Sequence, residues 1–143
     1  MKQLTYFILL FAIVFGLTAC NENKHNESHN IHIDGVEVLY FHGKQRCPTC
    51  QAIEKETKEL IDSQFRDAVK NGKVRFRVVD ITKPENEALA DKYEITWSSL
   101  VLVKYDNGKE ISENLTQFAF ANALSNPAQF KEELATKINQ MLN

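Results

Sequence analysis

Two cysteines separated by two residues, Cys47-Pro48-Thr49-Cys50, are the side chains of this 143-residue sequence best suited to chemistry. Thiols at that spacing can close into a disulfide and reopen, and the thiolate is the species that reacts. Arg46 immediately before the pair, with Lys44 nearby, adds positive charge that favours a thiolate. The flanking segments must hold the pair with one sulfur open to solvent. Residues 36–41, Val-Glu-Val-Leu-Tyr-Phe, are apolar and β-rich and end at His42-Gly43, and a long segment with helical periodicity follows the pair. At such a strand-to-helix junction both sulfurs fall in the first helical turn. Its unpaired N–H groups and positive dipole end stabilise an anion. A purely structural bridge is the competing reading, but closing so small a loop removes little chain entropy and makes a poor staple.

The composition, 43% hydrophobic and 25% charged, is that of one globular domain with a real core. A net charge of −2 without a basic stripe gives no electrostatic footprint for nucleic acid. The first nineteen residues differ in kind: Lys2, then an almost unbroken apolar run over residues 4–17. That run is short for a lone membrane span and suits a signal-peptide core. Its ending, Leu17-Thr18-Ala19-Cys20, resembles the lipobox of bacterial lipoproteins, which implies a leader over 1–19 and lipid on Cys20. Several acyl chains there would anchor the protein firmly where one would be marginal. With Cys20 lipidated, the three cysteines leave one pair, Cys47 and Cys50, in a compartment where disulfides persist. The expected address is the bacterial cell envelope, facing the periplasm or the exterior.

Residues 20–32 carry the lipidated cysteine and a polar tether without apolar period. The tether holds His25, His29 and His32, whose imidazoles are potential metal ligands but which nothing there holds in fixed geometry. The domain is expected over 33–143. Residues 31–41 predict a central, buried strand. From Cys50, Ile53, Leu60, Ile61, Phe65, Ala68 and Val69 predict one helix, ended by Asn71-Gly72. Residues 73–80 predict a strand in which Val74, Phe76 and Val78 alternate with Arg75 and Arg77. A shorter helix runs over 85–93 behind Pro84. Residues 100–105 and 110–115 form a hairpin around Asp106-Asn107-Gly108-Lys109. Residues 116–124 carry no clear period, with Phe118 and Phe120 expected to face inward. Ser125-Asn126-Pro127 opens a last helix through Phe130, Leu134, Ile138 and Leu142.

Strand, Cys-x-x-Cys helix, strand, helix, hairpin, helix is the order of the thioredoxin-like superfamily, which this chain resembles over about residues 36–142. Val79-Asp80-Ile81 with residues 87–95 is similar to the stretch before that family's cis-proline loop, and Leu100-Val101-Leu102-Val103 with the Asn107-Gly108 turn is similar to the hairpin after it. The resemblance implies an α/β thioredoxin-like fold, a central mixed four-stranded sheet flanked by helices, without the N-terminal strand and helix of full thioredoxins. It also implies that Cys47 is the exposed nucleophile and Cys50 the resolving cysteine, with no cofactor beyond their disulfide. Three positions depart from the family pattern. Arg46 stands where the family has tryptophan. The buried acid behind the second cysteine falls at Phe41, leaving His42 or Asp80 to supply it. The cis-proline falls at Ser99, in Thr96-Trp97-Ser98-Ser99. A cis bond before serine costs about 2.5–4 kcal/mol, so a trans bond and a reshaped loop are expected, with Trp97 covering the pair or packing in the core.

The leading expectation is a membrane-anchored thiol–disulfide oxidoreductase. Its partners would be exported protein thiols or disulfides, small thiols, or a redox partner protein. Arg46, Pro48, Thr49, Trp97, Ser98 and Ser99 would border its active site. The alternatives are a metal-binding module, in which Cys47, Cys50 and His42 begin a tetrahedral site that lacks an evident fourth ligand, and a redox-inactive interaction module.

Overall fold

A computed structural model describes residues 34–143 of the chain. The leader, Cys20, the tether with its histidines, and residues 31–33 of the first predicted strand lie outside the described residues. Along the described chain run β1 (Gly35–His42), α1 (Pro48–Gln64), α2 (Arg66–Lys70), β2 (Val74–Asp80), one 3-10 turn (Pro84–Asn86), α3 (Glu87–Lys92), β3 (Ser99–Asp106), β4 (Lys109–Asn114), α4 (Thr116–Asn122) and α5 (Pro127–Leu142).

The strands form one mixed sheet in the order β2-β1-β3-β4. β1 runs parallel to β2, which sets His42 opposite Asp80, and antiparallel to β3, which sets Phe41 opposite Ser99. β3 and β4 are antiparallel, joined at Asn107 (φ 48°) and Gly108 (φ 82°), the positive-φ pair that a two-residue hairpin turn requires. The four-stranded mixed sheet flanked by helices is the architecture expected from the order of elements.

β1 reads as continuously apolar because it is buried on both faces. Val36, Val38 and Tyr40 pack with Ile53 and Leu60 of α1, Ala119 of α4, and Phe130, Leu134 and Ile138 of α5. Leu39 and Phe41, pointing the other way, pack with Val79, Val101 and Val103 against Ala90 and Ile95. Each such side chain contributes about 1.5–3 kcal/mol by leaving water. Glu37 is the exception within the strand. Its buried carboxylate accepts from Arg77 Nη1 at 3.4 Å and from the Tyr105 hydroxyl at 3.3 Å, the compensation an interior charge requires.

The structure departs from the predicted elements in places. The single long helix breaks at Phe65 (φ −111°, ψ 14°), which seats that ring in the core and turns the chain into α2. Beyond the break the helical period no longer reports burial, and Val69 is exposed. In β2, Val78 is exposed while Val79 is buried, because at this end of an edge strand the covered face is the one shared with Phe41. Pro84 opens a 3-10 turn before α3, which stops at Lys92. The hairpin strand ends at Asn114, after which Leu115 is buried. Residues 116–122 form α4, with Phe118 and Phe120 half-buried against the larger core.

Candidate functional site

The apolar run of β1 ends at the C-terminal end of this interior strand and delivers residues 43–46 as a loop into α1. Cys47 is the residue that caps the helix. Its backbone is extended (φ −68°, ψ 162°), Pro48 takes the first helical position where no N–H is needed, and Cys50 sits one turn in. The Cys50 N–H donates to Cys47 Sγ at 3.1 Å, so the sulfur occupies the place of a capping oxygen. The Cα atoms of the two cysteines are 5.0 Å apart and the sulfurs lie at disulfide distance. Cys47 is exposed and Cys50 is buried, 6% accessible, behind it.

This asymmetry decides what each sulfur can do. Cys47 is open to an incoming disulfide, and as a thiolate it would keep the amide and the positive helix end directed at it. Cys50 is screened from solvent and reachable through Cys47.

Arg46 is not a free cation beside the pair. Its Nη2 donates to Glu54 Oε2, one helical turn beyond Cys50, and its guanidinium carbon lies 5.7 Å over the Tyr40 ring. Gln51 Nε2 donates to the Arg46 carbonyl at 3.1 Å, tying the loop to the helix. The charge expected to activate Cys47 is therefore largely paired. Pro48 is exposed and Thr49 half-buried.

Among the described residues neither His42 nor Asp80, the two named as substitutes for the family's buried acid, hydrogen-bonds Cys50. Asp80 Oδ1 accepts from the Thr82 N–H at 3.0 Å and from its hydroxyl at 2.8 Å, and these bonds hold its carboxyl below the usual range. His42 lies with its ring centroid 6.1 Å from that of Tyr40, and its Nδ1 is 3.0 Å from the Gly43 carbonyl. Phe41 turns away from α1 into the opposite core. The β1 side chain that faces the second cysteine is Tyr40, whose buried hydroxyl donates to the Cys50 carbonyl at 2.7 Å. Sequence reasoning missed it because a tyrosine within an apolar strand reads as core, and it missed Glu54 as one more charge on a wet helix face.

The peptide bond before Ser99 is trans, as expected of a serine. Ser98 and Ser99 are both buried, and the Ser99 hydroxyl donates to the Trp97 carbonyl at 3.1 Å. Trp97 is 56% exposed, its ring 5.1 Å from that of Phe120, so it neither joins the core nor buries Cys47. Among the described residues no three His, Cys, Asp or Glu side chains converge as metal ligands, and His42 is not brought into such a group with the two sulfurs.

No family model matches the chain, and no curated protein sequence matches it. Solved structures do. A thioredoxin-like protein of Clostridium perfringens is 15% identical over 84% of this chain and 90% of its own, with a TM-score of 0.50. The fold is thioredoxin-like. A thioredoxin of Malassezia sympodialis (22% identity, 77% of each chain, TM-score 0.48) and one of Fasciola hepatica (23%, 77% of this chain and 84% of that one, 0.46) are also similar. In this thioredoxin-like domain the cysteine pair lies where β1 passes into α1, and Ser99 opens β3 beside the last residues of β1.

Proposed function

We propose that this chain is a thiol–disulfide oxidoreductase of the bacterial cell envelope, tethered to a membrane by lipid on Cys20. The observation that carries the reading is the exposed Cys47 sulfur on the first turn of α1, with the Cys50 amide on it and the Cys50 side chain buried behind. In the reduced protein the Cys47 thiolate attacks a partner disulfide, forming a mixed disulfide and releasing one partner thiolate. The Cys50 thiolate, formed by loss of its proton, then attacks Cys47 Sγ. That step closes the Cys47–Cys50 bond and releases the second partner sulfur, so two electrons pass to the partner. Run backwards, the same steps oxidise a partner dithiol. Arg46, Pro48, Thr49, Trp97, Ser98 and Ser99 border the pair in this reading. The partners are exported protein thiols or disulfides, or a redox protein that recycles the pair.

A thiolate stabilised by the helix end, without a carboxylate behind Cys50, favours the reduced form and a potential on the oxidising side of thioredoxin. The test is equilibration of the domain in glutathione buffers, scored by the mass added on alkylation. A single two-electron transition between about −120 and −270 mV is expected. A bridge that stays closed below about −300 mV would make the pair structural and sink the reading. The lipid anchor fails separately if the protein isolated from membranes keeps residues 1–19 or carries no acyl mass on Cys20.

A further inference from the structure

We propose that Tyr40 is a positioning residue of the thiol site: from inside the core its hydroxyl holds the Cys50 carbonyl, and so fixes that residue's backbone, so that the Cys50 N–H stays aimed at Cys47 Sγ. The proposal rests on the oxidoreductase reading and adds to it the group that keeps the first turn of α1 in register when the disulfide is open.

Tyr40 is fully buried, among the largest side chains of the core shared by β1, α1, α4 and α5. Phenylalanine would fill the same space without a polar atom to satisfy, and a buried hydroxyl costs stability unless it is bonded. The bond it makes is to the Cys50 carbonyl, at 2.7 Å. Carbonyls in the first turn of a helix already accept from the N–H four residues on, and only the last turn leaves carbonyls unserved. The tyrosine therefore does not repair a gap in α1. It uses the second lone pair of an acceptor that is already bonded, and so ties that residue to the central strand. Cys50 is thus held twice: its carbonyl from β1, and its N–H on Cys47 Sγ at 3.1 Å.

The surroundings suit a fixed donor. Burial pushes the phenol up, while the Arg46 guanidinium and the Ser98 hydroxyl beside it pull the other way. The net rise keeps the group protonated, hence a donor, through the range in which a thiolate forms. Arg46, next to Cys47 in sequence, lies over the ring, and Ser98, from the loop before β3, lies beside its hydroxyl. The hydroxyl is thus the buried point at which the loop before α1, α1 itself and the loop before β3 meet. In the oxidised protein the sulfur–sulfur bond also fixes the two cysteines. In the reduced protein Tyr40 carries that task.

The test is the pH profile of Cys47 alkylation in the reduced protein, wild type against Tyr40→Phe. The midpoint is expected to rise by about half a pH unit, and alkylation at pH values below the midpoint to slow about threefold, because the thiolate loses a well-aimed N–H. Ser98→Ala should move the midpoint in the same direction by less. Arg46 from the loop, Glu54 from α1, His42 at the end of β1 and Asp80 across from it are common to all three proteins, so the shift belongs to the hydroxyl. Superimposed profiles for wild type and a folded Tyr40→Phe would overturn the proposal. If Tyr40→Phe does not fold, amide exchange in the wild type decides instead: a Cys50 N–H that loses its protection when the disulfide is reduced overturns the proposal. Alkylation of a reduced thiol needs no turnover, so a pair without exchange activity would count against the function proposed above and leave this comparison standing.

Discussion

An arginine beside a reactive cysteine invites the argument that its charge stabilises the thiolate, yet Arg46 spends its guanidinium on Glu54 and the Tyr40 ring. Both members of the ion pair are roughly 28–29% accessible at the side chain, so solvent weakens whatever either does alone. The electrostatic unit next to Cys47 is therefore the pair, nearly neutral as a whole. Replacing Arg46 alone leaves an uncompensated carboxylate one turn beyond Cys50. Arg46→Gln is expected to raise the Cys47 alkylation midpoint by about half a pH unit, through the lost cation and the freed anion together. The double variant Arg46→Gln/Glu54→Gln should return most of the way to wild type. The thermodynamic cycle of the four proteins measures the coupling. Equal midpoints for the single and double variants would mean that Arg46 acts on Cys47 independently of Glu54.

The ends of the helices show how local sequence fixes the turns that carry the chain from one element to the next. α2 ends with the Gly72 N–H on the Val69 carbonyl at 3.0 Å and the Lys73 N–H on the Ala68 carbonyl at 2.8 Å, a paired closure with Gly72 at φ 70°. α3 ends the same way, the Glu94 N–H on Asp91 at 3.0 Å and the Ile95 N–H on Ala90 at 2.8 Å, but Glu94 holds the left-handed position at φ 56°. A side chain there costs about 1 kcal/mol relative to glycine. Glu94→Gly is expected to stabilise the domain by about that amount, and Gly72→Ala to destabilise it by a similar amount, both read from urea denaturation midpoints at unchanged slope. A Glu94→Gly midpoint at or below wild type would show that another contact of Glu94 outweighs the backbone. The same contrast explains what was legible in the sequence. Asn71-Gly72 and Asn107-Gly108 announce their turns because the backbone conformation demands those residues, and β1 announces its burial through its composition. The break at Phe65 and the closure at Glu94 were not legible, because core packing forces them on residues that carry no local signal. The cysteine pair was readable from spacing and junction. Its supports, Tyr40 and Glu54, were not, since each becomes part of the site only when β1 and α1 are laid together.

The molecule as a whole holds α1 without help from the disulfide. Ile53, Leu60 and Ile61 bury that helix against the sheet, and Lys131 of α5 reaches Glu56 at 2.9 Å and Glu59 at 3.3 Å across the helix–helix seam. The cross-link closes a loop with a sequence separation of three, so it restricts the unfolded chain very little. Opening it exchanges that small restriction for a Cys47 thiolate facing the Cys50 amide and the helix end, an interaction that exists only in the folded, reduced protein. By linkage, an oxidising potential, if the pair has one, must appear as added stability of the reduced fold over the oxidised one. Urea denaturation of the two forms near neutral pH should therefore give a reduced domain as stable as the oxidised one or more stable, and each 30 mV on the oxidising side of an unfolded Cys-x-x-Cys reference should add about 1.4 kcal/mol to the difference. The advantage should fade as pH falls from the range of an unfolded thiol, about 8.5, toward the folded Cys47 midpoint, and be gone below it, where the native thiolate has taken up its proton. A reduced domain weaker by about 2–4 kcal/mol would make the bond a structural staple, whatever its rate of exchange. A reduced domain that matches or exceeds the oxidised one would mean that the fold stores its preference in the thiolate, and that the pair is built to give its disulfide away.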